Sequence, residues 1–304
     1  MRATVTGAAG FAGRHLVAHL QACGDEVTTI DRHGPTPVDV TDAAAVRAAI
    51  ATQRPDVVYH LAAWSHVGGS WDEPAAAFRV NAEGTLNVLR ACAAVGVGRV
   101  LVVGSAEEYG RAGEAPLDED TPLRPLSPYG AGKVAADVLA LQAFLGDGLE
   151  TVRVRPFNHT GPGQSPRFLV PALARRIAAA ERDGADEVPV GNLEPVRDLS
   201  DVRDVVRAYR LAALRGEPGA VYNVCSGRGV RVAEVAELLL TAARRPLRLV
   251  PDPALTRPVE VPCLVGSNTR LVDATGWAPE ISLEQTLTDV LAEARAAGEQ
   301  DGSA

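Results

Sequence analysis

A β-branched run, Ala3-Thr4-Val5-Thr6, leads directly into Gly7-Ala8-Ala9-Gly10-Phe11-Ala12-Gly13, and a helical pattern follows at once. No other feature constrains the fold as much. Glycines permit a tight strand-to-helix turn and bring backbone N–H groups, with the positive end of a helix, close to an anion such as a pyrophosphate. A glycine triplet alone is weak evidence. Here strand, loop and helix come in the required order, and an acidic residue, Asp31, closes the next β-branched run. Gly7, Gly10, Phe11, Ala12 and Gly13 are therefore the candidate dinucleotide loop. The competing reading is a purely structural glycine turn.

Downstream, strand-like runs at 26–30, 57–60, 99–103 and 151–155 alternate with helical stretches at 11–22, 42–52, 74–95 and 128–145. This alternation predicts βαβ units on a parallel sheet. Past Arg155 the residues Pro156, Gly161, Pro162, Gly163 and Pro166 mark a loop. Helices near 168–182, 201–214, 232–243 and 283–296, with short strands near Val188 and Val221, then read as a smaller lobe beside the sheet. The 304 residues, 46% apolar and 22% charged, suffice for such a two-part globular chain.

Other classes fit poorly. No apolar run approaches the roughly eighteen residues of a membrane span. The chain enters its glycine loop at once, which leaves no room for a signal peptide. Thirty basic residues against thirty-eight acidic ones give a net charge of −8, so the basic footprint of a nucleic-acid binder is missing. Cys23, Cys92, Cys225 and Cys263 are never spaced CxxC, and neither zinc nor a disulfide framework is indicated. A soluble, cytoplasmic α/β protein without a metal is the expectation.

Tyr129 and Lys133 are four apart on a predicted helix and share a face. An ammonium beside the phenol should lower the tyrosine pKa and make it a usable acid. Ser105 follows the fourth strand, at the sheet edge where ligands bind, and its hydroxyl could hold a carbonyl oxygen. In the cofactor region, Asp31 could accept from the adenosine ribose, favouring NAD(H), while Arg32 could pair with a 2′-phosphate, favouring NADP(H). Asp39 could meet the adenine amine or simply cap a turn. His66 and His159 follow the third and fifth strands without metal-ligand partners. A structural role is expected for His159, and a sugar contact or a plain loop role for Ser65 and His66.

The glycine loop, the Leu61-Ala62-Ala63 step and Tyr129-Gly130-Ala131-Gly132-Lys133 together resemble the extended short-chain dehydrogenase/reductase superfamily, over nearly the whole chain to about Trp277. His60-Leu61-Ala62-Ala63-Trp64-Ser65-His66-Val67 is similar to the corresponding step of GDP-mannose 4,6-dehydratases. Arg155-Pro156-Phe157-Asn158-His159-Thr160-Gly161-Pro162-Gly163-Gln164 looks more like the GDP-4-keto-6-deoxy-D-mannose reductases. Val190-Gly191-Asn192-Leu193-Glu194 with Arg197-Asp198 resembles both groups.

The resemblance implies an α/β fold: a Rossmann-type doubly wound parallel sheet with a smaller C-terminal nucleotide-sugar-binding lobe. Residues 1–157 would form the dinucleotide domain, with 200–215 returning to it, and 158–304 mainly the substrate lobe. Val40, Leu61, Ala62 and Ala63 would line the cofactor, Asn81 would support the active site, and Lys133 would also hold the nicotinamide ribose. Asn158, Arg197 and Arg257 would bind the substrate diphosphate, Glu260 a ribose hydroxyl and Asn192 the guanine region. For Arg197-Asp198 a surface ion pair competes, and for Asn192 a Gly-Asn turn. Family members pair the helices of Asn81 and Tyr129 into a four-helix bundle. The small residues Ala91, Ala93, Ala94, Ala131, Ala135 and Ala136 allow such an approach, so a homodimer is expected.

The implied activity is NAD(P)H-dependent reduction of the 4-keto group of an NDP-4-keto-6-deoxyhexose, foremost GDP-4-keto-6-deoxy-D-mannose to GDP-D-rhamnose. A dTDP-linked substrate is the near competitor. A 4,6-dehydratase or epimerase on the same scaffold stays open, because Glu107, two residues after Ser105, stands where a dehydratase would need its base. Against it, Ala106 fills a slot that many dehydratases make acidic, although the GDP-mannose branch does without an acid there. The 160–164 loop lacks the Glu-Ser-Pro-Arg-Arg pattern of the GDP-mannose branch, and Phe11 stands where that branch commonly has Gln. A non-catalytic dinucleotide sensor is the alternative of another class.

Overall fold

The computed structural model describes residues 1–34, 36–111, 113, 116–255 and 261–301. The first half runs β1 (Arg2–Thr6), α1 (Phe11–Ala22), β2 (Glu26–Ile30), α2 (Ala43–Gln53), β3 (Val57–His60), α3 (Gly69–Asp72), α4 (Pro74–Phe78), α5 (Gly84–Val95), β4 (Arg99–Val103), α6 (Pro128–Asp147) and β5 (Thr151–Pro156). Then follow β6 (Asn158–Thr160), α7 (Leu169–Asp183), β7 (Glu187–Val190), β8 (Val196–Asp201), α8 (Val202–Arg215), β9 (Val221–Val224) and β10 (Gly229–Arg231). The chain closes with α9 (Val232–Thr241), β11 (Arg248–Pro251), β12 (Cys263–Leu264), α10 (Thr269–Thr275) and α11 (Leu283–Asp301).

Six strands form one parallel sheet in the order β2-β1-β3-β4-β5-β9. The chain steps outward from β1 to β2 and then crosses to the other side of β1 to lay down β3. The crevice at that reversal, outside the carboxyl ends of the strands, is where such sheets bind ligands. The inner strands β3 and β5 are buried along their whole length, as expected of strands covered on both faces.

One face packs against α1 and α8 through Leu16, Leu20, Val205 and Tyr209. The other packs against α2, α5 and α6 through Val46, Ile50, Val88 and Ala140. A separate core joins α7, α9 and α11 with β7, around Leu173, Ile177, Leu239 and Leu291. Among the described residues no helix is long and apolar enough to cross a membrane.

Two expectations need correction. Val221 does not belong to the later lobe, because β9 is the edge strand of the main sheet beside β5. The stretch 74–95 is not one helix: a π-helical turn at Arg79–Glu83 separates α4 from α5. The cause is local. The Asn81 side chain bonds the backbone of Trp64 at both its atoms, and Gly132 packs against it so closely that a Cβ would lie 3.1 Å from Asn81 Cβ. Such π-turns gather at functional sites.

Candidate active site

A cleft of about 570 Å³ opens at the carboxyl edge of the sheet. At its glycine-loop side, Gly7 is held at φ +71, and a Cβ there would lie 2.6 Å from the Ala62 nitrogen. A Cβ on Gly13 would lie 2.2 Å from the Gly7 carbonyl. Only glycine fits either place. The N-terminus of α1 has no side-chain cap, so its first-turn N–H groups remain available to an anion. This is the cradle that a pyrophosphate needs.

Asp31 braces this loop: its carboxylate accepts from the Ala9 nitrogen and the His33 nitrogen, both at 2.9 Å. Arg32 Nε donates to His33 Nε2 at 3.2 Å, and Asp31, Arg32 and His33 all line the cleft. Asp39 lines it with Val40 and accepts from the Thr41 nitrogen and hydroxyl, which hold its carboxyl below the usual range.

Leu61, Ala62 and Ala63 line the cleft and are anchored from beneath. The Ala62 nitrogen donates to Thr6 Oγ1 at 3.2 Å, and Thr6 Oγ1 lies 2.7 Å from His60 Nδ1. His60 Nε2 meets Thr85 Oγ1 at 3.0 Å, and that hydroxyl donates to the Asn81 carbonyl at 2.6 Å. One assignment satisfies every member: Thr6 donates to Nδ1, and Nε2–H donates to Thr85. Burial keeps the ring neutral and pulls His60 down to about 3.

Ser105, Glu107, Tyr129 and Lys133 line the same cleft. Ser105 opens a single 3₁₀ turn after β4. Its Oγ accepts from the Glu107 nitrogen at 3.2 Å, and its own nitrogen donates to Glu108 Oε1 at 2.7 Å. Tyr129 and Lys133 sit in the first turns of α6, whose N-terminus Ser127 caps through the Gly130 nitrogen.

The expected effect of the ammonium on the phenol is not what the structure shows. Lys133 Nζ donates to the Val103 carbonyl at 2.7 Å, and burial pushes the Tyr129 phenol above its ordinary value. The nearby Ser105 hydroxyl pulls it partly back. Burial also lowers Lys133 to about 8, against the opposing pull of Glu108. Desolvation outweighs the charge of a neighbour here.

Asn158, His159 and Ser65 also line the cleft. His159 stacks on Phe11 with centroids 6.0 Å apart, and its Nδ1 lies 3.1 Å from the Phe157 carbonyl, so its ring is structural. Gln164 Nε2 donates to the His159 carbonyl at 3.0 Å and fixes the loop. Other predicted residues lie elsewhere. His66 does not line the cleft; its Nδ1 accepts from the Gly69 nitrogen at 2.8 Å. Asn81 stands behind the wall and holds Trp64. Asn192 makes a turn by accepting from the Glu194 nitrogen at 3.1 Å, and Arg197 donates to the Val196 carbonyl on β8.

Asp198 is not half of a surface ion pair. It is fully buried and accepts from the Ser226 nitrogen and hydroxyl and from the Gly227 nitrogen. Arg257 and Glu260 lie outside the described residues. The sequence reading missed His33, Phe168 and Tyr209, which line the cleft. His33 adjoins Asp31 and was within reach of the same argument. Phe168 and Tyr209 come from the return of the chain in space, for which the sequence carries no local signal. Among the described residues no group of His, Cys, Asp and Glu is placed to hold a metal.

Residues 3–225 match the model of the NAD dependent epimerase/dehydratase family. The chain is 38% identical to a GDP-6-deoxy-D-mannose reductase of Pseudomonas aeruginosa, over 96% of each chain. Among solved structures it is similar to RMD from Pseudomonas aeruginosa complexed with NADPH, with a TM-score of 0.90 and 37% identity over 97% of this chain and 99% of the other. It is also similar to a Thermus thermophilus UDP-glucose 4-epimerase complexed with NAD, with a TM-score of 0.89 and 31% identity over 98% and 100%.

Proposed function

The chain belongs to the NAD dependent epimerase/dehydratase family, and from that premise we propose that it is an oxidoreductase that reduces the 4-keto group of a nucleotide-activated 4-keto-6-deoxyhexose. The substrate of choice is GDP-4-keto-6-deoxy-D-mannose, giving GDP-D-rhamnose. The reading rests on one observation above all: Ser105, Tyr129 and Lys133 line one cleft with the glycine loop. The likeness to the Pseudomonas aeruginosa reductase supports the choice of reaction and base.

The site fits NAD(P)H, which supplies the hydride when bound. The glycine loop and uncapped α1 would hold the pyrophosphate, Asp31 the adenosine ribose, and Lys133 the nicotinamide ribose. Asp31 favours the ribose diol and Arg32 a 2′-phosphate, so both cofactor forms are accepted. The Ser105 hydroxyl would hold the C4 carbonyl oxygen, and Tyr129, kept protonated by burial, would deliver the proton to it. Asn158 and Ser65, which line the cleft, would contact the sugar nucleotide.

Glu107 also lines the cleft, and a 4,6-dehydratase would use such a carboxylate to remove the C5 proton. In a reductase it orients the sugar. The chain acts as a homodimer through the helical stretches that carry Asn81 and Tyr129, along which Phe78, Val138 and Leu145 are exposed large apolar residues. Its four cysteines are free, as in the reducing cytoplasm where we place it. Tyr129→Phe tests the site: reduction should fall by about 100-fold or more while NADPH still raises the melting temperature. A variant that keeps its turnover would remove Tyr129 from the chemistry.

A further inference from the structure

Beneath Ser105 lies an acid that the reaction itself does not use: burial, with Asp137 nearby, pushes the Glu108 carboxyl up, and the Arg155 guanidinium pulls it back. Glu108 is wholly buried, its Oε1 accepting from the Ser105 nitrogen at 2.7 Å and its Oε2 lying 3.1 Å from Arg155 Nε. From β5, Arg155 reaches on through Nη2 to Asp137 Oδ2 at 3.0 Å, and Arg153 Nη1 reaches the same oxygen at 2.7 Å. Asp137 is on α6, one turn beyond Lys133. Arg155 Nη1 also donates to the Tyr109 hydroxyl at 3.1 Å, which fixes the guanidinium against the end of the same turn.

The backbone makes room for this acid: a Cβ on Gly104 would lie 2.4 Å from Glu108 Oε1. A buried carboxylate is costly, and an apolar residue of similar size is often as stable or more so. The arrangement therefore calls for a reason other than packing. The geometry supplies one, because Glu108 is the link between the turn that presents Ser105 and the helix that presents Tyr129 and Lys133.

We propose that Glu108 is a positioning residue, which holds the Ser105 turn in register with α6 through the Arg155–Asp137 pair. This rests on the reading of Ser105 as the carbonyl-binding hydroxyl. Displacing a reacting group by about 1 Å can cost on the order of 100-fold in rate, so a modest loosening of the turn is visible in kcat.

The test is a double-mutant cycle of Glu108→Gln with Ser105→Ala, assayed on the 4-keto sugar, with NADPH affinity followed by fluorescence titration. Glu108→Gln keeps an acceptor for the Ser105 nitrogen but loses the ion contact with Arg155. It should lower kcat by about tenfold, leave KM and NADPH affinity within about twofold, and have no further effect once Ser105 is Ala. The paired replacement Glu108→Leu/Arg155→Met removes both charges, leaves Asp137 its Arg153 partner, and should show the same pattern even if the single variant does not fold. Effects that multiply in the Ser105→Ala background, a loss confined to KM, or unchanged kcat would overturn the role. Full activity of Ser105→Ala itself would instead sink the reading of the site.

Discussion

On the proposed reading, the environment of Lys133 sets when the site works. Its ammonium is buried against the Val103 carbonyl, and desolvation brings it down to about 8. A lowered ammonium pKa means that the charged form is lost as pH rises through that value. Tyr129, pushed up by burial, stays protonated over the same range. We expect kcat/KM to fall above about pH 8 in a pH–rate profile, and a profile flat to pH 10 would contradict this. The order of Ser105, Tyr129 and Lys133 was legible in the sequence because strand, loop and helix each leave a local pattern. The direction of the Tyr129 shift was not, since it depends on how much water the folded site excludes. The same limit hid Tyr209, which a distant helix delivers to the cleft.

At the scale of elements, the Thr6–His60–Thr85–Asn81 series ties β1, β3 and the π-turn together beneath the Leu61–Ala63 step. His60 is neutral in the fold, with its pKa lowered from 6.5 to about 3. The unfolded chain therefore binds more protons between those values, and this group's stabilisation is lost as pH falls from 6.5 toward 3. From pH 7 to pH 5, urea unfolding should show the native protein losing about 2 kcal/mol more than His60→Gln. Equal losses would place the acid sensitivity elsewhere. The first five strands of the main sheet were legible to within a residue or two, being β-branched runs between helical patterns, whereas the place of β9 beside β5 was not. The π-turn was not, because one extra residue barely alters the apolar spacing from Pro74 to Val95. The three-residue strands β6 and β10 were also missed: their pairing with β8 is made by distant chain.

At the scale of the molecule, Trp71, Phe78, Val138 and Leu145 on α3, α4 and α6 are exposed large apolar side chains, which a second copy would cover on the proposed pairing. Light scattering should report a dimer at micromolar concentration, and Val138→Glu with Leu145→Glu should yield monomers. A monomeric native protein would refute the pairing. On the proposed reading the cleft reduces rather than dehydrates. A reductase needs a hydride donor, a hydroxyl for the carbonyl oxygen and a proton donor, while a dehydratase would have to recruit Glu107 and recycle its hydride. The direct measurement offers the protein GDP-4-keto-6-deoxy-D-mannose with NAD(P)H, and separately GDP-mannose with no added reductant. One NAD(P)H should be consumed per 4-keto sugar, and GDP-mannose should not react; a 4-keto-6-deoxy product formed from GDP-mannose without reductant would mark the protein as a dehydratase.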